Sequence, residues 1–213
     1  MKFSHIIWDW NGTIVDDTSL CVRIVNQILD EFKLKPVTVE FYRNNFSFPV
    51  SEYYNKIGLP SDITNYKKIS NRFIKEYRKQ FFNIDLQDFV LDCITEFNAG
   101  KINQSILSAS KRNDLDFFAA YFKIKHFFSK LSGVDNILAT GKFDIANAHL
   151  VALPTPSSEI LLIGDTVHDA EVASQLGINC LLCSRGHNSR KLLSSCPFPV
   201  VECFKEVLHF VLD

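Results

Sequence analysis

The stretch that decides the fold lies near the N-terminus, where the chain reads Ile6-Ile7-Trp8-Asp9-Trp10-Asn11-Gly12-Thr13. The apolar residues predict a buried strand, and Asp9 stands where that strand ends. The glycine that follows predicts a tight turn. Ligands of open α/β proteins bind beyond the carboxyl ends of the strands. A carboxylate at this point therefore indicates a functional site.

Four further short apolar runs indicate the remaining main strands of a sheet. They are near-continuous rather than alternating, which is typical of strands covered on both faces. Helical patterns join the later runs, and a strand–helix–strand repeat predicts a parallel sheet with right-handed crossovers. The predicted strands are 3–9, 106–108, 136–139, 160–165 and 179–183, and the predicted connecting helices are 111–122, 143–153 and 169–176. A short strand at 200–201 and a helix at 204–212 are expected to close the chain.

The segment between the first two predicted strands, residues 17–100, carries only helical patterns. Residues of the kinds that cap helices precede several of these patterns. We expect helices to begin at Asp17 or Thr18, at Thr38 and at Ser51, with a fourth helix around 69–81 and a fifth at 88–97. A four-helix insertion at the end of the first strand would lie over the expected ligand site. The sequence therefore predicts a core domain of residues 1–16 and 84–213 and a helical cap domain of residues 17–83.

The composition argues against several classes of protein. A chain of 213 residues is long enough for one large domain or for a core that carries a smaller insertion. The formal net charge is −1, and the basic residues around 67–79 have the spacing of a solvated helix face, so we expect no nucleic-acid partner. No run of about 18 apolar residues predicts a membrane helix, and the N-terminus lacks a secretory signal pattern. We therefore expect a cytoplasmic protein, monomeric or homodimeric, that binds no membrane.

The six cysteines include one C-x-x-C pair, formed by Cys180 and Cys183. The pair falls within a predicted strand, and residues three apart on a strand point to opposite faces of the sheet. The two thiols should therefore diverge. This pattern favours small buried hydrophobic residues over a redox or zinc site.

Polar side chains follow four of the predicted strands. They are Asp9 with Asn11, Gly12 and Thr13, then Ser108 with Ala109 and Ser110, then Lys142, and finally Asp165 with Asp169. Because the ends of parallel strands meet at one edge of the sheet, we expect a single pocket with three carboxylates, hydroxyls and a lysine. Such a set suits phosphoryl transfer, in which the protein mostly positions the group and neutralises charge. An aspartate can attack phosphorus, carboxylate oxygens bind Mg²⁺, and a lysine supplies a positive charge.

In order and position, these residues resemble the four motifs of the haloacid dehalogenase superfamily, which are D-x-D-G-T, a Ser or Thr, a Lys, and G-D-x-x-x-D. The resemblance covers nearly the whole chain. It implies a Rossmann-like parallel-sheet core with an inserted all-helical cap. It also implies a Mg²⁺-dependent phosphohydrolase that acts on a small phosphorylated metabolite through an aspartyl-phosphate. The opening Trp-Asp-Trp-Asn-Gly-Thr is similar to that of members related to phosphoglycolate phosphatase.

The resemblance assigns a role to each matching residue. It implies that Asp9 is the nucleophile. The implied Mg²⁺ ligands are Asp9, the backbone carbonyl of Asn11, Asp165 and Asp169. The implied phosphoryl-binding residues are Ser108, Lys142, Gly12, Thr13 and Ala109. For Thr13, a hydrogen bond within the turn is an equally good interpretation.

Members with a helical cap use a cap loop that reaches the pocket and reads the substrate. Residues 46–50, which follow Arg43, occupy that place in this chain. The resemblance therefore makes Arg43 and Phe48 candidate substrate-binding residues.

Asn11 departs from the family pattern, because the second acidic residue of D-x-D-G-T serves the family's phosphatases as general acid and then as general base. An amide exchanges no proton near neutral pH. General acid–base help is typically worth about 10²–10⁴ in rate, so its loss slows turnover without abolishing it. Two alternatives stay open. One is a C–P hydrolase of the phosphonoacetaldehyde hydrolase type, which forms a Schiff base with a cap lysine such as Lys33, Lys35 or Lys56. The other is a non-catalytic phosphate-binding regulatory protein.

Four further polar residues lie close to these motifs in the sequence. We expect Asp17 to start the first cap helix and Ser110 to cap the helix that follows the second strand, with donation to the phosphoryl group as the alternative role of Ser110. We expect His168 to be a surface loop residue, with proton transfer as its alternative role. His187 follows the fifth strand and should lie near the rim of the pocket, with its role open.

Overall fold

The computed structural model describes residues 2–135, 138 and 141–213. Six strands form one sheet in the order β3-β2-β1-β4-β5-β6, and every neighbouring pair is parallel. The strands are β1 His5–Trp8, β2 Asn103–Lys111, β3 Lys130–Val134, β4 Ile160–Gly164, β5 Asn179–Cys183 and β6 Val200–Val201. The helices are α1 Thr18–Glu31, α2 Val39–Asn45, α3 Val50–Lys56, α4 Ile63–Gln80, α5 Val90–Ala99, α6 Arg112–Tyr121, α7 Phe143–Val151, α8 Val167–Leu176, α9 Arg190–Leu193 and α10 Phe204–Leu212. The predicted α/β class with an inserted helical region is confirmed.

The sheet is buried on both faces because neighbouring residues of its strands pack into different hydrophobic clusters. Ile6 and Trp8 of β1 belong to one cluster, together with residues of α5, α6 and α10. Ile7 belongs to the other cluster, which includes residues of α7, α8 and α9. Cys180 and Cys183 divide between the two clusters in the same way and are free thiols. The predicted divergence of the C-x-x-C pair is confirmed.

The cap comprises α1 to α4, inserted between β1 and α5. Its two connecting segments pair with each other, since the amide of Asp16 donates to the carbonyl of Asp85 at 3.0 Å and the amide of Gln87 donates to the carbonyl of Ile14 at 2.9 Å. The all-helical insertion is confirmed. The domain boundaries proposed at 16/17 and 83/84 fall beside these paired segments, and we keep them as a proposal.

The cap is held against the core on two sides. On one side, the amide of Ser189 donates to the carbonyl of Arg43 at 2.9 Å, and the Asn188 amide group donates to the carbonyl of Phe46 at 2.9 Å. On the other side, the Arg78 guanidinium binds the Asp114 carboxylate through Nη2 at 2.8 Å and Nε at 3.0 Å. The cap is therefore tied to the core through both its second helix region and its fourth helix.

Several boundaries differ from the sequence-based expectation, since β2 and α4 begin earlier than expected and the third strand and third helix lie elsewhere. The third strand was expected at 136–139, of which 136, 137 and 139 lie outside the described residues, and the observed third strand is Lys130–Val134. That strand lies at the sheet edge and mixes polar and apolar residues, so its apolar signal is weak. The third helix begins after Pro49 rather than at Ser51, because proline already has the φ of −65° that suits the start of a helix. Within the described parts of the chain, no helix is long and apolar enough to span a membrane.

Candidate active site

Three carboxylates converge at the carboxyl edge of the sheet. Asp9 follows β1, and its amide donates to the carbonyl of Ile163 on β4 at 2.9 Å. Asp165 follows β4, and Asp169 lies in the first turn of α8. Carboxylate oxygens of Asp9, Asp165 and Asp169 all lie within 4.8 Å of one another, and all three residues are buried.

Lys142 is the buried cation of this group. Its Nζ lies 2.6 Å from Oδ1 of Asp9 and 2.5 Å from Oδ1 of Asp169, and it also donates to the carbonyl of Leu107 at 3.1 Å. Burial alone would lower the pKa of Lys142, but the two carboxylates raise it above its ordinary value. Burial alone would raise the pKa of Asp169, but Lys142 lowers it. Lys142 therefore stays charged and holds Asp169 ionised.

The other two carboxylates are less well neutralised. Burial raises the pKa of Asp9 despite Lys142, and burial raises the pKa of Asp165 despite the nearby His187. One lysine thus balances three closely spaced acids. Such a set of hard oxygen donors, with excess negative charge, fits a divalent cation such as Mg²⁺.

Glycine residues make room for these acids. A Cβ on Gly164 would lie 2.3 Å from Cγ of Asp169, and a Cβ on Gly186 would lie 2.1 Å from Oδ2 of Asp165. Asp165 is fixed by two donors, the Thr13 hydroxyl at 2.7 Å and the His187 amide at 2.6 Å. The Thr13 hydroxyl is therefore directed at a carboxylate of the site, and Thr13 does not line the cavity.

The second motif contributes two serine hydroxyls with different partners. Ser108 lines the cavity, and its Oγ accepts a hydrogen bond from the amide of Ser110 at 3.0 Å. Ser108 donates to none of the described residues, so its proton can be donated to a ligand. The Ser110 hydroxyl donates to Oδ1 of Asn11 at 2.6 Å, whereas Lys111 holds the N-cap position of α6 without a side-chain cap bond. The expectation that Ser110 caps this helix was wrong. Ala109 lines the cavity between the two serines.

Asn11 is locked by its hydrogen bonds. Its Nδ2 donates to Oδ2 of Asp17 at 2.5 Å and to the Tyr77 hydroxyl at 2.9 Å, while its Oδ1 accepts from Ser110. These partners fix which side of the amide carries nitrogen, because Asp17 only accepts and Ser110 donates. The side chain of Asn11 therefore connects the core motif to the cap.

Asp17 forms a buried network that the sequence did not reveal. Besides Asn11, its carboxylate accepts hydrogen bonds from the Gly12 amide at 2.9 Å and the Tyr77 hydroxyl at 2.7 Å, and it pairs with Nε2 of His187 at 3.1 Å. Burial would raise the pKa of Asp17, but His187 and the hydrogen bonds lower it. Burial would lower the pKa of His187, but Asp17 raises it to about 9. The two residues form a buried ion pair.

A second cluster is close enough to share a metal ion. Ligand atoms of Asp17, Cys21 and His187 lie within 4.8 Å of one another. The Asp17 oxygens already accept hydrogen bonds from several protein donors, and both ring nitrogens of His187 have partners, Asp17 and the Tyr42 hydroxyl at 3.0 Å. This cluster is satisfied without an ion.

His168 is buried and is not a surface loop residue as expected. Its Nε2 accepts a hydrogen bond from the amide of Lys142 at 3.0 Å, and its ring packs against those of Phe48 and Phe143 at centroid distances of 4.8 and 4.6 Å. Burial lowers the pKa of His168 to about 4. The ring is neutral near pH 7 and serves to position the Lys142 backbone.

Two candidate residues are not placed to contact a ligand in the cavity. The Arg43 guanidinium donates through Nη2 to the carbonyl of Ser184, so it ties the cap to the core and does not line the cavity. Gly12 does not line the cavity either, and its amide is used by Asp17 and by the carbonyl of Val15. The sequence pattern placed both residues near the site but could not give the direction of a side chain or an amide.

The cavity between core and cap has a volume of about 140 Å³. We call its lining residues from the core the core wall and those from residues 17–83 the cap wall. The core wall holds every charged residue that lines the described cavity. Aromatic side chains dominate the cap wall, among them Tyr42, Phe46, Phe48, Tyr53, Tyr54 and Tyr77. Phe48 thus lies where the sequence predicted a substrate-reading loop.

The fold and this arrangement of acids define a hydrolase, and comparison with known proteins agrees. Residues 6–183 match the family model described as haloacid dehalogenase-like hydrolase. The chain belongs to that family. It is 23% identical over 208 residues to phosphoglycolate phosphatase from Synechococcus elongatus, covering 97% of this chain and 96% of that protein.

Solved structures show the same fold. A predicted phosphatase from Clostridium acetobutylicum aligns with a TM-score of 0.86 at 15% identity, over 100% of this chain and 99% of that one. A predicted phosphoglycolate phosphatase from Haemophilus somnus aligns with a TM-score of 0.78 at 17% identity, over 99% and 98% of the two chains. These structures therefore share the fold of this chain over nearly its whole length.

Proposed function

We propose that the protein is a Mg²⁺-dependent phosphohydrolase that acts on a small phosphorylated metabolite through an aspartyl-phosphate. The observation that carries this proposal is the buried group of Asp9, Asp165 and Asp169, of which Asp9 and Asp169 pair with Lys142 and line the cavity between core and cap. Asp9 and Asp165 directly follow two adjacent strands, Asp169 lies in the first turn of α8, and Lys142 stands at the N-cap of α7. Such fixed positions are what the positioning of a phosphoryl group requires.

Each residue has a distinct task in this mechanism. Asp9, Asp165 and Asp169, with the backbone carbonyl of Asn11, would hold Mg²⁺, which would offset the repulsion between the carboxylate and the phosphate. The Asp9 carboxylate attacks phosphorus, and the bond from phosphorus to the leaving oxygen breaks. Water then attacks the aspartyl-phosphate, which restores Asp9 and releases inorganic phosphate. Ser108 donates its free proton to a phosphoryl oxygen, and Lys142 holds Asp9 in the attacking position.

The leaving oxygen receives no proton from position 11. Both hydrogens of the Asn11 amide group are engaged by Asp17 and Tyr77. The proton for a poor leaving group must then come from water, which makes turnover depend strongly on the acidity of the leaving alcohol.

The two alternatives can be weighed against the cavity. A Schiff-base mechanism needs a cap lysine that reaches the substrate, and Lys33, Lys35 and Lys56 do not line the cavity. We therefore do not favour the C–P hydrolase. A non-catalytic phosphate-binding protein would bind phosphate with Mg²⁺ but release no product. Cytoplasmic location and a monomeric or homodimeric state stay predictions.

The test is an assay of phosphate release from 4-nitrophenyl phosphate and acetyl phosphate with Mg²⁺. We expect turnover that stops with EDTA and returns with added Mg²⁺, and that falls to background in Asp9→Asn. Turnover that survives in Asp9→Asn at the wild-type rate would contradict the proposed nucleophile. Binding of phosphate without turnover of either ester would favour the regulatory alternative.

A further inference from the structure

The cap wall is uncharged throughout the described cavity. Its members are aromatic or aliphatic side chains together with Cys21 and Ser70. The charged lining residues all belong to the core wall, where Lys142 is already paired with Asp9 and Asp169. Lys111 is the other lysine that lines the described cavity, and it shares the core wall with Asp114. The part of a substrate that faces the cap thus meets no cation there.

This wall is unsuited to a leaving group that carries a carboxylate. A buried carboxylate needs a cation or several donors to offset its lost hydration. The cation closest in sequence to the substrate-reading loop, Arg43, is directed to the carbonyl of Ser184. The His187 ring is occupied by Asp17 and Tyr42. The cap wall therefore disfavours an acidic metabolite.

The same wall is well suited to an aromatic ring. The rings of Tyr42, Phe46 and Tyr53 pack edge to face or stacked, with centroid distances of 4.9–5.6 Å. Aromatic pairs gain from such arrangements in addition to the area they bury. The cavity of about 140 Å³ is similar in volume to apolar cavities of roughly 150 Å³ that admit benzene.

One buried polar atom of this wall lacks a partner. Tyr53 lines the cavity, and its buried hydroxyl makes no hydrogen bond to the described residues. Buried hydroxyls are nearly always hydrogen-bonded. A ligand with one hydrogen-bonding atom on an otherwise apolar group would satisfy it.

The absence of a proton donor at position 11 is an independent argument for an aromatic leaving group. A phenol has a pKa near ~10, so a phenolate can depart without the proton that an alkoxide needs. An aromatic leaving group would therefore compensate for the absence of a titratable side chain at position 11. The cap wall and the core wall thus select the same chemistry for different reasons.

We propose that the natural leaving group is a single uncharged aromatic ring, so that the substrate is an aryl phosphate monoester. The inference rests on the proposed function and specifies its substrate class. The Asp9 oxygen forms a bond to phosphorus as the bond from phosphorus to the aryl oxygen breaks, and the phenolate leaves with the electron pair. Water then cleaves the aspartyl-phosphate and yields inorganic phosphate.

Binding of inert analogues separates recognition from leaving-group chemistry. We expect calorimetry with Mg²⁺ to show that phenylphosphonate binds about 10- to 100-fold more tightly than phosphonoacetate. In turnover assays, phenyl phosphate should be a better substrate than 4-carboxyphenyl phosphate, which has the same kind of leaving group with an added charge, and far better than 2-phosphoglycolate. A preference for phosphonoacetate and 2-phosphoglycolate would overturn the inference.

A charge placed on the cap wall should reverse this preference. We expect Phe48→Arg to improve phosphonoacetate binding relative to phenylphosphonate by about tenfold, since a new cation then faces the carboxylate. Phe41→Arg is the matched control, because Phe41 is exposed on the same cap and does not line the cavity. If Phe48→Arg fails to fold, Tyr53→Phe tests the same wall, and we expect it to weaken 3-hydroxyphenylphosphonate more than phenylphosphonate. Equal effects on both analogues, or an equal effect of Phe41→Arg, would overturn the inference.

The failures of the two proposals are distinguishable. If none of the esters is turned over, the proposed function fails, and the substrate assignment fails with it. If 2-phosphoglycolate is turned over in preference, and this turnover depends on Asp9 and Mg²⁺, only the substrate assignment fails.

Discussion

The two walls of the cavity differ in almost every physical property. The core wall concentrates charge, with Asp9, Asp169 and Lys142 joined by ion pairs of 2.5–2.6 Å. The cap wall carries no charge among the described lining residues and consists mainly of packed rings. The core wall is built from strand residues, helix residues and loops at the carboxyl edge of the sheet, whereas the cap wall is built from helices and one loop.

The difference separates chemistry from selection. Strand ends are fixed by the sheet's hydrogen bonds, so they hold charged groups within the small tolerances that catalysis needs. Helical surfaces tolerate exchange of side chains of similar size. A chain can thus change what it selects in the cap without moving the acids of the core.

The largest expected effect is loss of the nucleophile. Asp9→Asn keeps the shape and the contact with Lys142 but removes the attacking charge, so turnover should fall to background. Binding of phenylphosphonate should persist, because the cap wall is unchanged. Phosphate release and calorimetry measure the two effects. A variant that loses binding and turnover together would show that the walls do not act separately.

Removal of the core cation should be nearly as severe. In Lys142→Met, Asp9 and Asp169 lose their shared partner while buried. Breaking a buried pair in this way typically costs about 3–5 kcal/mol, so we expect a decrease of that size in the free energy of unfolding, measured by urea denaturation in EDTA. Lys111→Met, on the rim of the same wall, is the control and should change stability little. Equal stabilities of the two variants would contradict the central role of Lys142.

An acidic residue at position 11 tests the contact between Asn11 and Asp17, which joins the core to the cap. Asn11→Asp places a carboxylate against Asp17, whose Oδ2 now accepts from Nδ2 of Asn11 at 2.5 Å. We expect the free energy of unfolding to fall by about 1–3 kcal/mol, and Asp17→Asn added to it should recover part of that loss. Additive effects of the two substitutions in a double-mutant cycle would contradict their direct contact.

The same substitution should change the dependence on leaving group. With Asp17→Asn present to relieve repulsion, Asn11→Asp should speed hydrolysis of cyclohexyl phosphate more than that of phenyl phosphate, because only the poorer leaving group needs a proton. Rates of phosphate release measure this ratio. Equal acceleration of both esters would contradict our account of Asn11.

The smallest expected effect is a pH dependence remote from the cavity. His5 and His149 both hydrogen-bond the Ser105 hydroxyl, at 2.8 and 2.9 Å, and burial lowers their pKa values to about 4 and about 3. A histidine in the unfolded chain has a pKa of about 6.5. At pH values below that pKa and above the lowered pKa values of the folded protein, the unfolded chain binds more protons than the folded chain. Stability is therefore complete above that ordinary value and falls as the pH decreases toward 4, by about 1–3 kcal/mol.

Urea denaturation at pH 7 and pH 5 measures this loss. His149→Asn should reduce it, because one of the two histidines that contact Ser105 is gone. His126→Asn is the control, since His126 lies in an exposed turn before β3. An undiminished loss in His149→Asn would show that other groups cause the pH dependence.

Local patterns in the sequence were sufficient for much of this protein. The period of apolar residues predicted β1, β4 and β5 to within a few residues, and the helical patterns between strands one and two predicted the inserted helical cap. The placement of Asp9 and Asp165 directly after β1 and β4 was also predictable from the sequence, whereas Ser108 lies within β2 and not at its end. The sequence analysis did not predict the position of β3, because this edge strand is only half buried and its apolar pattern is weak.

Other features depended on packing between distant segments. The contact between Asp17 and His187 joins residues 170 positions apart, and that between Asn11 and Tyr77 joins residues 66 positions apart. No local pattern encodes such pairs, so Asp17 looked like a simple helix start. The direction of the Arg43 side chain could not be predicted either, because its partner Ser184 is also distant in the sequence.

The sequence by itself determined an α/β core with a helical insertion and the acids that meet at its edge. The fold follows from the period of apolar residues along the chain, and the site follows from the polar residues that stand after the predicted strands. Only the tertiary structure decided that the cap presents an uncharged aromatic surface to those acids and that Asn11 is held by Asp17. These properties depend on how the cap helices pack on the sheet, and packing is fixed by contacts between residues far apart in the chain.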